Sequence, residues 1–324
     1  MASVDRWNAL DEVPPAEGGA VVAIGNFDGV HRGHRAVLGT VVASARARGA
    51  RAVAVTFDPH PLAVLHPERA PALLTGLDER LARLAETGLD GVLVMEFTRE
   101  LASWSPEHFV RTVFVEALRA VEVVVGRDVR FGRGNSGDLA TLQRLGAACG
   151  FEVTALDDVS ADPAAAGGAP VRPWSSTRVR LDLAEGNVDH AADVLGRPHR
   201  VVGTVVHGDH RGRELGYPTA NLSADAEGVV PADGVYAGWL VRLGATGPDA
   251  RLPAAVSVGS NPTFAGCERR VEAYALDRTG LDLYGERVAV EFVHRLRPTL
   301  RFDGVGPLVE QMARDVEECR RLLA

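Results

Sequence analysis

The sequence predicts an α/β chain of two successive architectures, an N-terminal parallel sheet and then a small antiparallel β-barrel with a C-terminal helix. Three observations predict this. The 324 residues exceed the roughly 100–200 of one ordinary domain, so about two domains are expected. Residues 20–126 alternate apolar runs with helical patterns, the rhythm of a parallel sheet with crossover helices. Beyond residue 198 the pattern changes to short β-like runs separated by turns rich in Gly, Pro, Asn and Asp, as a compact barrel requires.

AVVAIG at 20–25 is a short apolar run ending in glycine, and HRAVLGTVVASARARG at 34–49 follows it with the spacing of an amphipathic helix. RAVAVTF (51–57), GVLVMEF (91–97) and AVEVVVG (120–126) are the next strands. DERLARLAETG and SPEHFVRTVFVEALR are the helices between them. The Ala/Gly/Pro-rich tract at 162–173 separates domains by composition, but WSSTRVR and a helical run to Leu195 follow it and can return to the first site as a lid. The boundary is therefore set at Gly196–Pro198, giving domains 1–195 and 196–324. HRVVGTVVHG, GVYAGWLVRL, LPAAVSVG, RRVEAYALD and RVAVEFVHRL are the barrel strands, and GPLVEQMARDVEECRRLLA is a helix covering an open face or edge.

Composition excludes several classes. Hydrophobic residues at 46% and charged residues at 24% indicate a folded globular protein. A net charge of −8, without a basic tail, argues against a nucleic-acid partner. The opening MASVDRWNALDEVPP lacks a basic segment followed by an apolar one, and no run of 18 apolar residues follows. A soluble, cytoplasmic protein without membrane partners is the expectation, its oligomeric state left open. Cys149, Cys267 and Cys319 have neither disulfide nor metal spacing and read as ordinary small hydrophobes.

Ligands of open parallel sheets lie beyond the carboxyl ends of the strands, where polar or glycine-containing loops stand at 25–34, 58–61 and 126–137. In GNFDGVHRGH, His31 and His34 lie three apart where a helix begins, with Gly29 and Gly33 keeping the backbone slender. A helix N-terminus offers free amides to phosphate, and paired imidazoles add hydrogen bonds or charge. The alternative is a glycine turn with two surface histidines; zinc is disfavoured, since neither HExxH nor cysteine ligands accompany the pair. His60 in TFDPHP lies at the end of a strand in a proline-braced turn, either lining an adenosine pocket or incidental. GRDVRFG and SSTRVR add Asp128, Arg130, Ser176, Thr177, Arg178 and Arg180, able to bind ribose and polyphosphate or to form solvated loops.

In the second half, GTVVHGDHRGRELGYPTANL places Gly203, Gly208, Gly212 and Gly216 ahead of a polar turn, Pro218 to Asn221. Small residues admit a nucleotide, and the Thr219 hydroxyl and Asn221 carbonyl are oxygen ligands suited to Mg²⁺ with ATP phosphates. Glu272 in RVEAYAL shares a face with Tyr274 and is placed either as base for a substrate hydroxyl or as a polar residue on an edge strand. Asn261-Pro262 and LYGE read first as turns.

GNFDGVHRGH, TFDPHP, VVGRDVRFG and SSTRVR, in that order, resemble the adenylyltransferase module of the bacterial bifunctional riboflavin kinase/FAD synthetase family, which is similar to the wider HxGH nucleotidyltransferases. GRELGYPTANL, GVY, NPTF, VEAYALD and LYGE resemble its riboflavin kinase module, so the resemblance covers residues 20–320. It implies a Rossmann-like nucleotidyltransferase domain followed by a riboflavin kinase barrel. It assigns His31 and His34 to ATP phosphates, with Gly25, Phe27, Asp28, Gly33 and His60 in the same ATP site and Ser176, Thr177 and Arg180 as a second phosphate motif. Asp128 and Phe131 are its flavin-binding candidates. In the kinase module Gly208, Gly212, Gly216, Pro218, Thr219 and Asn221 bind Mg-ATP, and Glu272 is the base acting on the ribityl 5′-hydroxyl. The implied reactions phosphorylate riboflavin to FMN and adenylylate FMN to FAD with a second ATP, releasing pyrophosphate. Two departures stand out: Val129 follows Asp128 where relatives carry an aromatic, and Ala273-Tyr274 follows Glu272 where many carry Thr-His. A monofunctional enzyme with one silent module, or a flavin-responsive binding protein without turnover, are the competing readings.

Overall fold

The computed structural model describes residues 4–157, 173–208, 215–263, 266–278 and 280–324. The chain forms two compact units, one of residues 1–71 with 77–175 and one of residues 72–76 with 176–324.

In the first unit the elements run β1 (Asp5–Trp7), β2 (Ala20–Ile24), α1 (Arg32–Arg48), β3 (Arg51–Asp58), α2 (Pro61–Leu65), α3 (Leu77–Ala85), β4 (Gly91–Glu96), α4 (Arg99–Ala102) and α5 (Pro106–Phe109). Helix α5 continues as a π-helix over Val110–Ala117, followed by β5 (Ala120–Gly126), α6 (Leu139–Cys149) and β6 (Glu152–Leu156). All six strands pair in parallel, in the order β1-β4-β3-β2-β5-β6. Both sheet faces are covered, because successive side chains of a strand point to opposite sides. Val22, Val53 and Leu93 join Phe109, Phe114 and Leu142 on one side. Val21, Ala54 and Val92 join Leu38, Val41 and Leu84 of α1 and α3 on the other. From β2 the chain proceeds to β3, and from β5 it proceeds to β6 on the opposite flank, so the order reverses between β2 and β5. That switch point is where an open parallel sheet leaves room for a ligand, and the 25–31 and 127–137 loops flank it.

The second unit holds α7 (Ser176–Glu185), α8 (Val188–Leu195), β7 (His199–Val206), β8 (Ala220–Leu222), β9 (Gly234–Arg242), β10 (Arg251–Thr263), β11 (Gly266–Ala275), β12 (Arg287–Arg297) and α9 (Val305–Leu323). Its strands close an antiparallel barrel in the order β10-β11-β8-β7-β12-β9, with β9 returning to β10. Closure leaves no open edge, so α9 lies on the outside of the wall, where Val316 and Cys319 pack with Ala237, Leu276, Tyr217 and Tyr274. Burial pushes the Cys319 thiol up to about 12, as an inert small hydrophobe requires, whereas Cys149 is exposed.

The parallel sheet and barrel expected from the sequence are both present. The differences lie at the margins. Edge strands β1 and β6 carried no distinct apolar run in the sequence, and their neighbours supply the register. Asn221 lies on β8 rather than in a turn, and Asn261 and Pro262 continue β10.

Candidate active sites

The loop between β2 and α1 is built on strained backbone. Phe27 and Val30 adopt φ of 47° and 40°, a left-handed conformation that costs a non-glycine residue of order 1–3 kcal/mol. Burial of Phe27, Asp28 and Val30 holds the loop in that shape. Gly25 faces the Phe27 ring, which a Cβ would approach to 3.3 Å.

His31 caps α1, its Nδ1 accepting from the backbone N–H of His34 at 3.3 Å. An acceptor at Nδ1 fixes the proton of neutral His31 on Nε2, leaving that N–H as the donor. The His31 and His34 rings stack at 3.6 Å, and Phe27 meets His34 edge-on at 5.3 Å. Burial, and then the neighbouring His31, hold the His34 imidazole well below its usual range, so it is neutral at pH 7. Its Nδ1 is buried without a hydrogen-bond partner, a polar atom that a bound group can satisfy. Gly33 fits between the His31 ring and the Trp174 carbonyl, which a Cβ would meet at 3.1 and 3.2 Å. Arg32 stands 5.5 Å from the Trp174 ring centre.

His60 caps α2 through Nδ1, which accepts from the Leu62 N–H at 3.2 Å. Its Nε2 lies 3.3 Å from the Asn26 side-chain amide, so the TFDPHP loop meets the HxGH loop directly. Asp128 is exposed beyond β5, whereas Phe131 is buried in the apolar layer 6.2 Å from Phe109. Val129 packs against that layer as well.

Ser176 and Thr177 open α7 in the second unit. Arg180 on the same helix donates from Nε to the Ala72 carbonyl at 2.7 Å. The Thr219 hydroxyl donates to Glu272 Oε2 at 3.2 Å, and Asn221 Nδ2 donates to Thr219 Oγ1 at 3.2 Å and to its carbonyl at 3.3 Å. Register explains the meeting, since Glu272 on β11 lies directly opposite Asn221 on β8. Gly208 sits against this cluster, where a Cβ would come within 2.6 Å of the Asn221 side chain. Gly216 takes a φ of 87° and Pro218 is exposed just ahead of Thr219; Gly212 lies outside the described residues. Val271, Ala273 and Ala275 are buried, while Glu272 and Tyr274 share the alternate, half-buried face. Tyr274 meets Tyr217 edge-on at 5.3 Å.

Sequence reasoning missed Asn26 and Arg80. Arg80 is 1% exposed and reaches the Asn26 carbonyl from α3. The available signal was its position: in LDERLARL it interrupts the Leu77, Leu81, Leu84 stripe with a charge.

Helix-capping histidines at the switch point of a parallel sheet, and a hydroxyl, an amide and a carboxylate hydrogen-bonded across a barrel wall, define a two-unit phosphate-handling transferase. The family comparisons divide the chain likewise, with FAD synthetase matching residues 13–166 and riboflavin kinase residues 195–323. The bifunctional riboflavin kinase/FMN adenylyltransferase of Escherichia coli K12 is 40% identical over 92% of this chain and 90% of its own length. That of Pseudomonas fluorescens is 38% identical over 97% and 96%. This chain belongs to the bacterial bifunctional riboflavin kinase/FMN adenylyltransferase family. A crystal structure described as a macrolide-efflux protein from Streptococcus pneumoniae matches with a TM-score of 0.84 and 30% identity, covering 98% of both chains. Among the described residues of this chain, no helix is long and apolar enough to cross a membrane.

Proposed function

We propose that this chain carries out both reactions of its family, with the first in the second unit and the second served by residues 1–195. Riboflavin and ATP give FMN and ADP; FMN and a further ATP give FAD and pyrophosphate. The observation that carries this reading is that each family-matched half holds its own transfer-type cluster.

In the kinase step, Glu272 takes or orients the proton of the ribityl 5′-hydroxyl as its oxygen attacks the γ-phosphorus. The Thr219 hydroxyl, already bonded to Oε2, holds the carboxylate in place. Thr219, Asn221 and Glu272 form an all-oxygen donor set that fits Mg²⁺; Thr219 and Asn221 would hold the ion, which would neutralise charge on the ATP phosphates. Asn221 commits Nδ2 to Thr219, which turns its Oδ1 the other way.

In the adenylyl step, an FMN phosphate oxygen attacks the α-phosphorus of ATP and pyrophosphate leaves. No protein nucleophile is required, because the attacking group is already anionic. His31 presents Nε2–H to the phosphates, and neutral His34 can take up a proton as negative charge develops beside it. Gly25, Phe27, Asp28 and Gly33 shape this ATP loop and His60 borders it, while the family resemblance assigns a second phosphate motif to Ser176, Thr177 and Arg180. Asp128 and Phe131 are assigned to the flavin. The partners on this reading are soluble small molecules, and a cytoplasmic location is proposed with it.

Chromatographic separation of FMN and FAD after incubation with riboflavin, ATP and Mg²⁺, beside a reaction begun from FMN, tests the proposal. FMN followed by FAD is expected. FMN alone would mark a kinase whose first unit is impaired, the outcome Val129 brings into question. Flavin binding without either product would overturn the assignment in favour of a binding protein.

A further inference from the structure

The two loops of the first unit's site are joined from beneath by an almost fully buried side chain. Arg80, on α3, is 1% exposed. Its Nη1 donates to the Asn26 carbonyl at 3.1 Å, and its Nη2 donates to the Phe57 carbonyl at 3.1 Å and to Asp58 Oδ1 at 3.3 Å. Asn26 belongs to the loop that ends in His31 and His34, and Phe57 and Asp58 end the strand that leads to His60. The Asn26 carbonyl also accepts from the Thr56 hydroxyl at 3.2 Å, and the Asn26 side chain meets His60 at 3.3 Å. Two catalytic loops, three backbone or side-chain acceptors and one planar fork therefore form a single network.

We propose that Arg80 is a positioning residue for adenylyl transfer, fixing the spacing between the His31/His34 loop and the His60 loop. The inference rests on the adenylyltransferase reading given above.

A buried charge is a poor means of holding a helix to a sheet. An apolar residue at the same stripe position would pack with less desolvation, and Leu77, Leu81 and Leu84 already supply that packing. Burial lowers the Arg80 guanidinium from its usual range, against the opposing pull of Asp58 and then Asp28. What the guanidinium supplies and a leucine cannot is two diverging donor arms, one ending on the HxGH loop and the other at the end of β3, which leads into the His60 loop. A lysine keeps the charge but concentrates its donors on one nitrogen, which loses the fork's fixed separation.

The test measures pyrophosphate release from FMN and ATP, and riboflavin phosphorylation, in full-length Arg80→Lys and Arg80→Gly. A displacement of about 1 Å at a reacting centre costs on the order of 10²-fold in rate, so Arg80→Lys is expected to lose about that factor in adenylylation kcat. KM for ATP is expected to stay within about threefold, the signature of a loss felt in the transition state. Riboflavin phosphorylation is unchanged. Millimolar guanidinium chloride restores about tenfold of the lost rate to Arg80→Gly, and ammonium chloride does not, because only guanidinium reproduces the fork. Adenylylation by Arg80→Lys within about threefold of the unsubstituted protein would overturn the proposal, as would a loss that merely tracks the unfolded fraction. Should neither variant fold, Thr56→Val removes only the second bond on the Asn26 carbonyl. A fall of about fivefold in adenylylation alone supports the network, and an unchanged rate overturns it. Absence of pyrophosphate release from the unsubstituted protein would instead defeat the underlying functional reading.

Discussion

The candidate sites of the two units are built from different parts, and the difference lies in where each stores its precision. The first builds a site from a loop on strained backbone, with φ of 47° at Phe27 and 40° at Val30, braced from below by a buried arginine. The second builds one from strand register, which places Glu272 opposite Asn221 and leaves Thr219 to complete the cluster. The loop depends on burial around it, whereas the barrel site inherits its rigidity from the ladder. A pair of histidines, one half-buried and one buried, sharpens the contrast. His34 is neutral with an unpartnered Nδ1 in the candidate phosphate loop, whereas His199 uses Nε2 to hold the Val229 carbonyl at 2.7 Å and stacks near Phe292. One has a buried nitrogen that its own chain leaves unsatisfied, and the other is part of the wall.

The largest expected effect comes from the barrel side. Glu272→Gln keeps the shape of the side chain but removes the proposed base, so riboflavin phosphorylation should fall by roughly 10²–10⁴-fold while FAD formation from supplied FMN is retained. Initial rates of ADP and pyrophosphate release measure the two separately. Next, His31→Ala removes both the Nε2–H donor and the cap of α1. Adenylylation should fall by about 10²–10³-fold at a stability cost of about 1 kcal/mol, read from FMN-dependent pyrophosphate release and thermal unfolding.

A smaller effect tests whether the barrel cluster is as tightly set as its register suggests. An alanine at Gly208 brings a Cβ within 2.6 Å of Asn221, which must move. Gly208→Ala should therefore cost about tenfold in kinase kcat, with adenylylation unchanged. An unchanged kinase rate would mean that Asn221 has freedom the geometry denies it.

The mildest effect concerns pH. Burial, partly offset by the bond to Val229, lowers His199 to about 4 from 6.5, so the unfolded chain binds a proton that the folded barrel refuses between those values. The stability is fully present above pH 6.5 and is lost as pH falls toward 4. By linkage the second unit should be about 2 kcal/mol less stable at pH 5 than at pH 7.5. Denaturant titrations at both pH values check this, and His199→Gln should flatten the slope. A slope unchanged in that variant would assign the effect to carboxylates such as Glu291, whose depressed titration lies lower.

Much of this was legible in the sequence because the determinants are local. The β2, β3, β4 and β5 runs are continuous and apolar, and HxGH and PTAN each set out a candidate site within a few residues. What was not legible depends on neighbours. β1 is three residues long and exists through its pairing with Gly91–Leu93. Asn221 reads as a turn residue until β11 pairs with it. The Arg80 network joins α3 to acceptors 54, 23 and 22 residues earlier, a separation no periodicity encodes. Division of the chain behaved similarly: composition changes most cleanly at Gly196–Pro198, while contacts divide it between Ser175 and Ser176.

If two sites in one chain act in series and independently, variants disabled at different sites must complement one another. Glu272→Gln and His31→Ala are incubated separately and then together with riboflavin, ATP and Mg²⁺, and FAD is measured by chromatography. Little FAD is expected from either variant alone and FAD from the mixture, as FMN made by His31→Ala reaches the intact first unit of Glu272→Gln. A mixture that yields no FAD, although Glu272→Gln converts added FMN and His31→Ala makes FMN, would contradict that independence.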